Sequence, residues 1–244
     1  AMDALAELLK LERDWIPSAL GTSLYIRPTV FAVDECLSVH ASKTYLFYII
    51  LSPVGSYYKN GLQPVRLLVE DAYCRACPGG TGATKYIGNY GASLKAGEAA
   101  ERAGFDQVLW LDAAERKYVE EVGSMNIFFV LNGKVVTPAL SGSVLNGITR
   151  RSVIELLNKS GRAAEERRVP IAEILSGAES GELSECFGTG TAAVVSPVGY
   201  LRSGKTDFSI GGGQIGPVSR FVYDTLTGIQ TGATTDPFGW TTVI

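Results

Sequence analysis

The stretch CPGGTGATKYIGNYGAS, Cys77 to Ser93, packs the densest run of glycine in the chain around a single lysine, Lys85. A lysine flanked by stripped backbone serves either of two chemistries. The loop can cradle the phosphates of a nucleotide, or the amine can bond covalently to an aldehyde cofactor whose flat ring needs room to approach. A Walker A loop requires G-x-x-x-x-G-K-[ST], because the glycine before the lysine lets backbone amides wrap the phosphates. Gly79 is in place, but Thr84 precedes Lys85 and Tyr86 follows it, so the match fails at both discriminating positions. Gly204-Lys205-Thr206 repeats the last letters of that motif without a glycine-rich approach. The aldehyde reading asks for a lysine that loses its proton readily from a starting value near ~10.4, for small neighbours, for a phenol and for a carboxylate that keeps a ring nitrogen protonated. Tyr90 follows Lys85 in the same stretch, and EVGSMN, starting at Glu121, puts a carboxylate at the mouth of a strand.

Working outward, 244 residues bury a sizeable core as one large domain or two smaller ones. Hydrophobic residues make up 46% and charged residues 19%, the profile of a soluble globular chain with room for a large interface. The formal charge is −3 and no basic run stands out, which removes electrostatic support for a nucleic-acid partner. No apolar stretch is long enough to span a bilayer. Cysteines stand at 36, 74, 77 and 186, too sparse for a disulfide scaffold and suited to a reducing compartment. Cys74 and Cys77 form C-x-x-C, but a zinc site needs a second pair of ligands and His40 is the only histidine. A redox pair and two small residues before a turn both remain open for this motif, and no metal is expected.

Residues 3–15 read as an amphipathic helix with Leu5, Leu8, Leu9 and Trp15 toward one side. Thr22–Val33 reads as a strand with Pro28 at a bend or edge, and Thr44–Val54 as a buried strand ended by Pro53. Ser52–Leu67 collects Pro, Gly, Ser and an Asn-Gly pair, and is the best linker candidate. Helices are expected over 92–104, 149–161 and 216–228, with a short one around VPIAEILSGAESG. Strands are expected over 106–112 and in TAAVVSPVGYL, with a hairpin over 124–138 turning at Asn132-Gly133. Strands and helices mix without strict alternation, which argues against a doubly wound parallel sheet and for an α+β chain. No internal repeat is present.

GGTGATKYIGNYGASL, QVLWLD, EVGSMNIFF, NGITRRS and FGTGTAAVVSPV closely resemble the branched-chain aminotransferases, members of fold type IV of the pyridoxal-phosphate enzymes. LERDWIPSALGTSLYIRPTVFA and LSPVGSYY extend the resemblance toward the start, so that it covers nearly the whole chain. The resemblance implies the remainder of a small N-terminal α/β domain over 1–57, a linker over 58–68 and a large cofactor-binding domain with a mixed sheet or pseudo-barrel over 69–244. The family's chains begin well upstream of this first helix, and its phosphate-binding arginine lies in that upstream region, so no residue here is assigned to that role.

By the same resemblance, Lys85 is the Schiff-base lysine and the proton shuttle, Tyr90 the phenol on the cofactor's ring oxygen and Glu121, not its neighbour Glu120, the partner of the pyridine nitrogen. Ser124 stands beside the ring and Leu145 against its face. The backbone amides of Ile148 and Thr149 hold the phosphate, where a helix start favours an anion on physical grounds. Thr191 and Ala192 form the tight turn that receives the substrate carboxylate, with Thr191 also near the phosphate. Gly188 and Gly190 let that turn come close. Tyr25, Arg27 and Tyr57 belong to the substrate pocket. The mammalian C-x-x-C after the GTGTA turn is replaced by Ala193 and Ser196, and Cys74/Cys77 is not its equivalent. The activity implied is transfer of an amino group from leucine, isoleucine or valine to 2-oxoglutarate through pyridoxal 5'-phosphate, by a cytoplasmic homodimer. D-amino-acid aminotransferases and aminodeoxychorismate lyases share the lysine and glutamate; YIRP and EVGSMNIFF favour the branched-chain group. A catalytically inactive assembly subunit is the alternative of another class.

Overall fold

Residues 1–19, 21–55 and 61–244 are described in the computed structural model. They divide into two units, Ala1–Gly61 with Gly239–Ile244, and Leu62–Phe238. In the first unit, α1 (Met2–Leu11) is followed by a 3₁₀ turn (Arg13–Trp15) and by the strands β1 (Ser23–Ala32) and β2 (Tyr45–Val54). The single helix expected over 3–15 is therefore corrected. Ile16 precedes Pro17 and is extended, with φ −72° and ψ 114°, which is the conformation a following proline imposes. The α-helix ends short of it, and Trp15 is left 63% exposed.

β1 and β2 form a two-stranded antiparallel hairpin, with Pro28 opposite Ile49. A two-stranded sheet has only edges, so proline is tolerated there. The expectation of a buried strand over 44–54 is corrected in one respect: the strand is present and runs through Pro53, but Tyr45, Leu46, Phe47 and Ile50 are exposed. Among the described residues of this unit the hairpin has little to pack against. Leu8 and Trp15 line a groove beside Ile49, Ile50 and Pro53 and leave much of the sheet bare.

The second unit contains β3 (Val65–Glu70), α2 (Ile87–Arg102), β4 (Gln107–Leu111), β5 (Tyr118–Val122), β6 (Asn126–Leu131), β7 (Lys134–Pro138), α3 (Ile148–Lys159), β8 (Ala164–Arg167), β9 (Val169–Pro170), α4 (Ile171–Ser180), β10 (Leu183–Gly190), β11 (Val194–Ser203), β12 (Thr206–Ser209) and α5 (Pro217–Gln230). Val65–Leu68, the end of the expected linker, lie in β3. The sheet order is β8-β7-β6-β10-β11-β3-β4-β5-β9, with β12 on β11. β11-β3, β3-β4 and β7-β8 pair parallel and the other neighbours antiparallel, so the sheet is mixed.

Asn132 and Gly133 take φ of 49° and 73°, the two left-handed residues of a type I′ turn, and join β6 to β7. β5 and β6 stand far apart in the hydrogen-bonded order. The turn between them is nevertheless tight, because Val122 and Met125 exchange backbone hydrogen bonds of 2.9 and 2.8 Å. The sheet must curl for both to hold, and its core lies inside that curl. All six residues of β6 are buried, and the rings of Phe128 and Phe187 on neighbouring strands stack at 5.3 Å. On the other side Ala96 and Ala100 of α2 pack with Phe105, Val108 and Trp110. Among the described residues no helix is long and apolar enough to cross a membrane.

Candidate active site

Residues 77–86 form no regular element, and one buried side chain organises their second half. Asn89, in the first turn of α2, donates from Nδ2 to the carbonyls of Thr81 (2.8 Å) and Thr84 (2.9 Å), and accepts from the Thr81 hydroxyl at 2.7 Å. Together with the backbone turns Thr84 N–H to Thr81 and Tyr86 N–H to Thr84, these bonds fix the loop immediately before Lys85. Gly82 lets this loop lie against residue 143: a Cβ there would stand 2.4 Å from the Ser143 carbonyl and 2.5 Å from the Ala76 Cβ. Lys85 itself is exposed, and its Nζ donates to Tyr90 Oη at 3.1 Å. Tyr90 lines a polar cavity together with Arg75, Thr84, Glu121, Ser124 and Leu145. The amine therefore stands at the rim, linked to the cavity through the phenol.

Glu121 and Glu120 are adjacent on β5, so their side chains leave opposite faces of the strand. Glu120 accepts from the hydroxyls of Ser141, at 3.0 Å, and Ser143. Glu121 enters the cavity. Its Oε1 accepts from Asn126 Nδ2 at 3.1 Å and from the Leu145 amide at 3.0 Å. Its Oε2 lies 2.5 Å from Arg75 Nε, yet that nitrogen makes no hydrogen bond of proper angle. Oε2 thus has a cation beside it that is not aligned to donate to it, and no other hydrogen bond reaches it among the described residues. Burial pushes the Glu121 carboxyl up from 4.5 to about 7, against the opposing pull of Arg75 and the Leu145 amide, with Glu120 adding to the rise.

Asn126 also donates to the Leu145 carbonyl at 2.8 Å, so one amide clamps both the acid and the segment that leads into α3. α3 starts at Ile148 behind Gly147, without a side-chain cap. Its first amides have no acceptor within the helix, and they leave a site for an anion. A Cβ at Gly147 would come within 2.3 Å of Asn126 Oδ1, which explains a glycine at that position. Thr191 and Ala192 form the turn between β10 and β11. Gly188 and Gly190 sit against Met125, whose side chain a Cβ would meet at 3.1 Å in both cases, and at Gly188 a Cβ would also stand 2.9 Å from Val122 Cγ1, so both positions are closely packed. In the first unit Arg27 donates to Tyr25 Oη at 3.2 Å, with its guanidinium 4.9 Å from that ring's centre. Tyr57 lies outside the described residues.

The cavity joins Tyr90, Glu121, Ser124 and Leu145 of the sequence-predicted set, with Lys85 bonded to its wall. Three contributors were not singled out from sequence: Arg75, Asn89 and Asn126. Asn126 had a signal, being the lone polar residue of NIFFVL, a strand otherwise fit for full burial. Arg75 had almost none, because CRAC draws the eye to its cysteines. Cys74 and Cys77 are free, and the described residues contain no cluster of three or more metal-ligating side chains.

Comparison with known proteins gives a consistent picture. The family model described as Amino-transferase class IV matches residues 1–200. Branched-chain-amino-acid aminotransferase 2 of Bacillus subtilis (strain 168) is 55% identical over 243 residues, which cover 100% of this chain and 67% of that protein. Branched-chain-amino-acid transaminase 1 of the same organism is 56% identical over 241 residues, 98% of this chain and 68% of that one. Among solved structures, the Escherichia coli branched-chain amino acid aminotransferase superposes with a TM-score of 0.76 at 31% identity, over 97% of this chain and 74% of that one.

Proposed function

Since the chain belongs to the amino-transferase class IV family, and within it to the branched-chain-amino-acid aminotransferases, we propose that it transfers the amino group of leucine, isoleucine or valine to 2-oxoglutarate with pyridoxal 5'-phosphate as cofactor. The observation that carries this reading is the buried carboxylate of Glu121, one oxygen of which has no aligned donor among the described residues, in a cavity walled by the phenol that holds the Lys85 amine. These residues fit the cofactor at both ends: Oε2 is an acceptor for a ring N–H, and the uncapped start of α3 suits a phosphate.

When bound, the cofactor supplies a carbonyl that condenses with an amine and a ring that takes up electrons from the substrate's α carbon. The protein's own work is positioning and proton handling. Lys85 would present the amine that holds the cofactor's carbonyl, and its Nζ is the group that would carry a proton to and from the substrate's α carbon. Tyr90, bonded to that amine, would offer its phenol to the ring oxygen. Glu121 would hold a proton at the ring nitrogen from Oε2, while Asn126 and the Leu145 amide fix its other oxygen. Ser124 and Leu145, which line the cavity, would border the ring. The amides of Ile148 and Thr149 at the uncapped start of α3 would take the phosphate, assisted by Thr191, and the amides of Thr191 and Ala192 would take the substrate carboxylate. Tyr25, Arg27 and Tyr57 act on the substrate side. A small domain over 1–57, a linker over 58–68, a large domain over 69–244, a homodimer and a cytoplasmic location belong to the same proposal.

Incubation with pyridoxal 5'-phosphate should give a visible absorbance band that Lys85→Ala abolishes, and L-leucine should outrun D-alanine as amino donor. Failure of wild-type protein to develop the band would refute the cofactor reading; faster turnover of D-alanine would refute the substrate class.

A further inference from the structure

Arg75 is the feature of the cavity that the reading above does not use. Its side chain and that of Glu121 are 9% and 4% exposed, and its Nη2 donates to the carbonyls of Gly82, at 3.2 Å, and Ser143. One guanidinium therefore ties the loop that carries Lys85 to the segment leading into α3, and puts a permanent positive charge against Glu121. The two ties to carbonyls are what a strut needs. The contact to Oε2 differs, since it supplies charge at 2.5 Å without an aligned hydrogen bond and leaves that oxygen able to accept one.

We propose that Arg75 acts as a positioning residue for a proton, its charge driving the proton shared by Glu121 and the cofactor ring off Oε2 and onto the ring nitrogen. The inference rests on the aminotransferase reading above. Two states with the same atoms and the same total charge compete. In one the carboxyl O–H is intact and the ring nitrogen bare; in the other the O–H bond has broken, an N–H bond has formed, and carboxylate faces ring cation. The second state moves positive charge away from the guanidinium and places negative charge beside it, so Arg75 favours it on both counts. The other charges near Glu121 do not duplicate this effect. Glu120 opposes ionisation, and Arg150 contributes less than Arg75 while bound to Glu166 at 2.7 Å. Tyr90, across the cavity, is engaged with Lys85.

The test separates charge from strut with Arg75→Lys and Arg75→Gln. In the cofactor-free chain, ¹³C NMR of the Glu121 carboxyl, assigned by its loss in Glu121→Gln, reports the titration midpoint. In protein loaded with ring-¹⁵N pyridoxal 5'-phosphate, the nitrogen shift reports protonation at neutral pH. Arg75→Gln should raise the midpoint by about one pH unit or more, a roughly tenfold change in the protonated-to-ionised ratio, and should deplete the protonated ring nitrogen. Arg75→Lys should stay near wild type in both. Wild-type values in Arg75→Gln, or equal displacement in both variants, would overturn the proposal. If Arg75→Gln does not fold, Arg75→Lys decides: a wild-type midpoint supports the charge role and a displaced one refutes it. A wild-type protein that takes up no labelled cofactor would instead refute the aminotransferase reading, and the carboxyl titration of the cofactor-free chain would still be readable.

Discussion

In the cofactor-free protein, Glu121→Gln should change the way stability depends on pH, by an amount that the burial of this one carboxyl fixes. The carboxyl sits at about 7 when folded, against 4.5 for an unperturbed glutamate. Between those values the folded chain keeps a proton that the unfolded chain has released, so stability falls as pH rises through the interval. At about 1.4 kcal/mol per pH unit the full effect is about 3 kcal/mol, of which about 2 kcal/mol is lost between pH ~5.5 and ~8. Glutamine does not titrate. The difference in unfolding free energy, wild type minus variant, should therefore drop by about 2 kcal/mol over that range whatever its absolute level. Urea unfolding at a series of pH values, followed through the fluorescence of buried Trp110, measures it. A flat difference would refute the desolvation argument. A difference that is flat over that range and falls as the pH drops below about 4.5 would show that Arg75, at 2.5 Å, outweighs burial and holds the carboxyl below its ordinary value.

Two further outcomes test how the lysine loop is held. Gly82→Ala would place a Cβ against a backbone carbonyl and another Cβ, neither of which swings aside, so a cost of roughly 1–3 kcal/mol is expected, with weaker uptake of pyridoxal 5'-phosphate. Unchanged melting temperature and uptake would show that the loop does not lie against residue 143. Asn89→Ala would take the side-chain donor from the Thr81 and Thr84 carbonyls, which keep only the backbone amides of Thr84 and Tyr86, at a cost of about 0.5–1.5 kcal/mol per lost hydrogen bond, and amide exchange over 81–86 should quicken while the core strands keep their protection. Equal quickening throughout the sheet would mean that Asn89 supports the whole fold and not the loop.

The parts of this molecule that were legible in sequence are those whose cause is local. Asn132-Gly133 announces its own turn, and the glycines and lysine of 77–93 announce a loop built for close approach. The resemblance carried the fold class and the family. Burial of β2 was not legible, because TYLFYIILSPV has the composition of a core strand whether or not anything covers it. The contacts that tune the acid were not legible either. Arg75 is far from Glu121 in sequence, and Leu145 offers its backbone amide, which no side-chain pattern reveals.

That division bears on how the site works. The groups assigned to covalent and proton chemistry, Lys85 and Glu121, each depend on a partner that performs no chemistry: Asn89 for the loop, and Asn126 for the acid. Asn126 reaches Glu121 and the Leu145 carbonyl with one amide, so the acid and the approach to α3 move as one body. A ring held between Oε2 and the start of α3 would then have both ends referred to the same side chain. Losing Asn126 should therefore disturb nitrogen and phosphate contacts together, whereas losing Asn89 should disturb only the condensing amine. Cofactor that is retained but slow to react with Lys85 would be the mark of the second fault, and cofactor that is not retained the mark of the first.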